Sequence, residues 1–254
     1  MADGRQSNES DQVKQAFLDK GVLIWQSDKD DGGIVSDSSS SKKPSRVPLA
    51  WFDKLNQSRD KIIEVNQVHG SQVVEVDKGN VGRFSGGKIP VGDGMITSLV
   101  GVPLMLKTAD CMPVVIYDPV NKVVLLVHVG WRGAVAKIFV TGLMLMMQKY
   151  KTEARSVKVW LGPSIRKCCY QFGEEPVQSQ LPEWSGFVDM KKGKWSIDLA
   201  GYVTNTLIEV GVAKTSIISD GGCTYHEDKK WFSYLRHKRT KEKGGLMGTV
   251  VWLV

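Results

Sequence analysis

Apolar residues in the middle of this chain come in short blocks separated by turn formers. Residues 62–65 and 72–76 are runs of Ile and Val broken by Asn66-Gln67-Val68-His69-Gly70, which predicts two strands joined by a turn carrying His69. Residues 79–94, rich in glycine, read as loop. Residues 103–106, 113–117 and 123–127 predict three further strands, the last two joined by a turn at Asp118-Pro119-Val120-Asn121-Lys122. Their near-continuous apolar character requires a cover on both faces.

From residue 133 the period changes. Val135, Ile138, Phe139, Leu143, Met146 and Met147 recur at helical spacing and predict one helix over residues 133–150, with Met144, Met146 and Met147 as packing residues. Residues 199–210 predict a second helix closed by Gly211. Residues 157–161, 217–219 and 248–253 predict strands. Near the start, residues 13–20 suggest a helix, 22–25 a strand, 28–46 a polar flexible loop and 51–55 a helical turn. No internal repeat is visible. The fold class expected is α+β, with mixed β-sheets flanked by helices in a single domain.

A chain of 254 residues with 42% hydrophobic content can bury a sizeable core. Its formal charge of +7 suggests anionic partners, but no basic stripe with interleaved aromatics appears, which argues against nucleic acid. The basic residues concentrate at 41–46 and 236–243. They are consistent with solvated loops or with attraction of a phosphorylated small molecule. No apolar run is long enough to span a bilayer. Residues 1–14 lack the apolar stretch of a signal peptide. The four cysteines, Cys111, Cys168, Cys169 and Cys223, form no CxxC pair and no dense framework. A reducing, cytoplasmic setting is expected.

The chemistry concentrates in three places. His69 lies in the strand connection, Cys111 ends Thr108-Ala109-Asp110-Cys111, and His128 opens His128-Val129-Gly130-Trp131-Arg132-Gly133. Two imidazoles and a thiolate are a zinc ligand set with one position open. His128 ends a buried strand before a glycine turn and a helix start, where Gly130, Trp131 and Arg132 could hold an anion. Asp110, beside Cys111, is a candidate base. Each residue also has a plainer reading: a satisfied core histidine, a small buried thiol, a turn histidine and a surface arginine. Cys168, Cys169 and Tyr170 read as packing around a turn, and His226 and His237 as solvated. Trp131 suits either core packing or stacking on a base.

Taken together, the motifs resemble a known family. Gln67-Val68-His69-Gly70, Asp93-Gly94-Met95-Ile96-Thr97, Thr108-Ala109-Asp110-Cys111-Met112-Pro113, His128-Val129-Gly130-Trp131-Arg132-Gly133, Gly162-Pro163-Ser164-Ile165 with Cys168-Cys169-Tyr170, Cys223-Thr224 and Phe232-Ser233-Tyr234 follow the order of the laccase-domain proteins. These were once described as multicopper polyphenol oxidase-like and are now read as purine nucleoside phosphorylases with adenosine deaminase and methylthioadenosine phosphorylase activity. The resemblance implies zinc held by His69, Cys111 and His128, with purine nucleosides (adenosine, inosine, guanosine) and phosphate as reactants. It runs over residues 61–254, with residues 1–60 a divergent segment of the same domain. Trp25-Gln26-Ser27, Gly32-Gly33-Ile34-Val35-Ser36, Leu235 and Lys241-Glu242 depart from the family pattern, and the three metal positions do not. Rival readings are a metal-free Cys111/His128 hydrolase or amidase, a copper polyphenol oxidase, and an inactive scaffold. A multicopper site needs many histidines, and the chain has 4.

Overall fold

In the computed structural model, residues 21–34, 45–219 and 222–254 are described. The helix expected at 13–20 and residues 35–44 of the expected loop, with most of the 41–46 basic cluster, lie outside them. The strands are β1 (Val22–Gln26), β2 (Ile63–Glu64), β3 (Val73–Val76), β4 (Gly94–Thr97), β5 (Leu104–Thr108), β6 (Met112–Asp118), β7 (Val123–Val129), β8 (Lys158–Leu161), β9 (Gln171–Phe172), β10 (Val188–Lys191), β11 (Lys194–Ile197), β12 (Ile217–Ser219) and β13 (Met247–Leu253). The helices are α1 (Ala50–Leu55), α2 (Val81–Ser85), α3 (Trp131–Val135), α4 (Ile138–Tyr150), α5 (Leu199–Glu209) and α6 (Tyr234–Thr240). None among the described residues is long and apolar enough to cross a membrane.

A mixed six-stranded sheet, order β12-β8-β6-β7-β4-β3, forms the centre. Side chains alternate across it. Val114, Ile116, Leu125 and Val127 join the cluster under α4 and α5, which includes Phe139, Leu143 and Leu207. Val115, Tyr117, Val124 and Leu126 point the other way, onto Val22, Ile24, Leu104, Leu106 and Val251 of a four-stranded sheet, order β1-β13-β5-β2. Both faces of β6 and β7 are therefore covered, which is why neither strand shows polar alternation. The outer face of the smaller sheet is closed by Trp51 and Leu55 of α1 packed with Met105, Val250 and Trp252. Gly142 lets α4 lie against β7, since a Cβ there would stand 2.4 Å from Leu125.

Several expectations need correction. The stretch 79–94 is not all loop: it contains α2 and ends at the start of β4, whose four residues, all buried and opening on a glycine, are too few to show a period. The helix expected at 133–150 is two helices, because Lys137 adopts a left-handed conformation (φ 52°) between α3 and α4. The apolar spacing continues through that single residue, so periodicity does not register the break. Met144 and Met147 are exposed, and only Met146 of the three methionines is core. The strands flanking His69 belong to different sheets, β2 pairing with β5 and β3 with β4. The short strands β9, β10 and β11, which form a separate sheet, carry too few apolar residues to stand out.

Candidate metal centre

Strand register assembles the site. β6 and β7 form a hairpin with Met112 opposite Val129 and Pro113 opposite His128. The next position along this register sets Cys111 across from Gly130. A Cβ at Gly130 would stand 2.9 Å from Cys111 Sγ and 3.4 Å from His69 Cδ2, so only glycine lets the backbone pass behind the thiol. On the other side of β7, Gly94 of β4 pairs with Val127, and the His128 amide donates to the Asp93 carbonyl at 2.7 Å.

Asp93 then recruits the third group. Its fully buried carboxylate accepts the backbone N–H groups of Val68 (3.1 Å), His69 (2.9 Å) and Gly70 (2.7 Å). This holds the turn in place with His69 at φ 59°, a conformation non-glycine residues seldom adopt. The ligand atoms of His69, Cys111 and His128 all lie within 4.8 Å of one another. The two imidazole rings meet edge to face at 4.8 Å.

The donor set fits a metal ion. His128 Nδ1 is 2.8 Å from Asp93 Oδ1, which commits that nitrogen as donor and leaves Nε2 as a ligand. Burial opposes ionisation of the Cys111 thiol, yet His128 and then His69 draw it down to about 6. Burial likewise opposes a His128 cation, but Cys111 and Asp93 raise it to about 9, so a metal ion would displace the Nε2 proton on binding. Burial works against the Asp93 carboxylate too, and hydrogen bonds from His128 and the Gly70 amide still hold it below its ordinary range. Negative charge thus favours cation capture at this point.

The other expected site residues divide. Asp110, at φ 91°, has both carboxylate oxygens engaged: one accepts the Thr224 hydroxyl at 2.7 Å and the other the Leu235 amide at 2.7 Å. Because Leu235 contributes only its backbone N–H, the departure from the family pattern there leaves the contact intact. Arg132 is exposed, with its guanidinium 4.2 Å from the Trp131 ring. The glycine turn is followed by α3 alone, five residues long, so the helix dipole expected to aid anion binding is weak.

Trp131 opens a cavity of about 680 Å³ also lined by Tyr170, Phe172, Gln178, Lys194 and Arg239. The triad itself does not line it. Tyr170 bridges the two: burial first, then the charges of Cys111 and Asp110, push its phenol well above the ordinary range, so it stays protonated. Sequence reading missed Asp93 as a partner of His128, although the Asp93-Gly94 step was in view. It also missed Lys194, Gln178 and Arg239, of which only Arg239 carried a signal, in the 236–243 basic cluster.

Comparison with known proteins agrees with this picture. Residues 37–254 match the family model described as multi-copper polyphenol oxidoreductase laccase. A purine nucleoside phosphorylase of Xylella fastidiosa strain 9a5c is 29% identical over 239 residues, covering 82% of this chain and 88% of its own. A protein named adenosine deaminase RL5, from an unknown prokaryotic organism, is 28% identical over 214 residues, covering 80% and 79%. The crystal structure of YlmD from Geobacillus stearothermophilus superposes with a TM-score of 0.77 at 24% identity, over 92% of each chain, and shares the fold.

Proposed function

This chain belongs to the multi-copper polyphenol oxidoreductase laccase family, and from that premise we propose that it is a zinc-dependent purine nucleoside phosphorylase with adenosine deaminase activity. The observation that carries the reading is the convergence of His69, Cys111 and His128, whose ligand atoms lie within 4.8 Å of one another. The names of the relatives supply the substrate class. Adenosine, inosine, guanosine and methylthioadenosine fit as candidate nucleosides.

His69, Cys111 and His128 would hold the ion, with Asp93 orienting His128. When bound, zinc supplies Lewis-acid charge beside the reacting atoms. Zinc is favoured over copper by the donor set: among the described residues, the triad brings together only two imidazoles, whereas multicopper chemistry needs a histidine-rich cluster.

The chain's own groups bind and orient the substrate. The aromatic faces of Trp131 and Phe172 provide a stacking surface for a purine. Tyr170, held protonated on the cavity wall, is a donor available to the substrate. Lys194 and Arg239, both at the cavity wall, and Arg132 beside it, are the cations available to phosphate. In phosphorolysis, phosphate attacks the sugar carbon and the base leaves; in deamination, water attacks the purine ring and ammonia leaves. Fixed charges at the site would stabilise both transition states. Asp110 keeps Cys111 in place through its bonds to Thr224 and Leu235.

The test is incubation of purified protein with adenosine or inosine, with and without phosphate. Free base, sugar phosphate and deaminated product are assayed beside metal content of wild type and Cys111→Ala. Phosphate-dependent release of base, lost with the metal in the variant, supports the reading. Turnover that survives complete metal removal overturns it.

A further inference from the structure

A second group of soft ligands lies apart from the triad. Cys168 Sγ is 3.5 Å from Cys169 Sγ and 3.7 Å from Cys223 Sγ, and the three sulfurs lie within 4.8 Å of one another. Thiol groups have little reason to gather at this distance for packing alone. A single cation with metal–sulfur bonds of about 2.3 Å holds tetrahedrally placed sulfurs ~3.8 Å apart. The two measured separations, 3.5 and 3.7 Å, lie close to that spacing. All four cysteines are free, so no disulfide consumes these thiols.

We propose that Cys168, Cys169 and Cys223 form a second metal site, for a soft thiophilic cation of the zinc or cuprous type. Three thiolates with no imidazole or carboxylate among them select such ions over magnesium or calcium. Binding exchanges thiol protons for metal–sulfur bonds without any change of oxidation state.

The position gives the site a purpose. Cys168 and Cys169 lie in the connection from β8 to β9, immediately before Tyr170, Gln171 and Phe172 of the cavity wall. Cys223 immediately precedes Thr224, the residue that holds Asp110. The two segments already touch through the bridge between Ser164 and Cys223 and through the Arg166 guanidinium, which donates to the Gly222 carbonyl at 3.0 Å. A cation here clasps the cavity wall to the segment that positions Cys111. It acts as a structural site by joining the two segments, with the fourth position of a tetrahedral ion left to water.

Reduced, metal-stripped full-length protein is titrated with Zn2+ without oxygen, and bound metal is counted. Wild type is expected to take up two ions per chain, Cys168→Ser/Cys223→Ser one, and Cys111→Ser one. Wild type that binds a single ion lost with Cys111→Ser, or a double variant that keeps the wild-type stoichiometry, overturns the proposal. A second measurement needs no variant: saturating Zn2+ should slow alkylation of Cys168 in wild type by about tenfold or more, as read by peptide mass mapping. Alkylation of Cys168 unchanged by Zn2+ overturns it as well. Neither readout depends on nucleoside turnover, so this proposal and the proposed activity fail separately.

Discussion

Asp93 Oδ1 lies 2.8 Å from His128 Nδ1, and the same oxygen accepts the His69 amide at 2.9 Å. One buried carboxylate thus sets the tautomer of one expected ligand and the backbone of another. Asp93→Asn keeps a carbonyl for the turn but removes the charge and places a donor against a donor. Zinc affinity is expected to fall by about 10–100-fold. Competition with a calibrated chelator measures it, and unchanged affinity would remove Asp93 from the site.

Replacement of His69 separates metal chemistry from a metal-free Cys–His enzyme. A thiol lowered to about 6 beside a buried imidazole also suits a nucleophile and base, and such a pair would need Cys111 and His128 only. His69→Ala is expected to abolish zinc retention and to cut kcat/KM by about 100-fold or more, in the range of lost electrostatic stabilisation at an active site. A mild effect on turnover would favour the hydrolase.

Gly130→Ala tests the close passage of backbone behind the thiol. The new Cβ would stand 2.9 Å from Cys111 Sγ, a distance that forces the sulfur or the strand end to move. Loss of metal is expected with the thermal midpoint nearly preserved, because the hairpin core around Val114 and Leu125 is untouched. A variant with normal metal content would show that the thiol has room to retreat.

Glu64 supplies a pH test at a buried cluster of charges. It is buried, bonded to Arg59 at 2.6 Å, Lys107 at 3.0 Å and the Ser45 hydroxyl at 2.6 Å. Burial pulls its pKa up, but Lys107 and then Ser45 outweigh this and leave it below its ordinary 4.5. The depressed value means that the stabilisation is fully present above 4.5 and is lost as pH falls through the folded-state value. Glu64→Gln should cost about 1–3 kcal/mol at neutral pH. Its urea midpoint should converge with that of wild type in acid; a constant gap across pH would mean that packing, not charge, is lost.

The strands 22–25, 113–117 and 123–127 and the helix 199–210 were legible because each rests on local pattern, and the three candidate ligands, which the structure brings within 4.8 Å of one another, stood out as rare residue types in motifs. Apolar runs bounded by turn formers mark strands, and a chain with few His and Cys leaves few ligand choices. The fate of Asp110 was not legible, because Thr224 and Leu235 meet it across more than a hundred residues. The same holds for Lys194 and Gln178, which reach the cavity from segments with no motif.

By itself, the sequence determined the α+β class, the double-sided burial of β6 and β7, and which His and Cys residues are candidates for a metal site. Only the tertiary structure decided that those residues meet. Their meeting depends on hairpin register, on β4 docking beside β7, and on a carboxylate that folds a distant turn back onto the sheet. The grouping of Cys168 and Cys169 with Cys223 was decided in the same way. These are long-range pairings whose free energy comes from burial of the whole core, and no local run of residues encodes them.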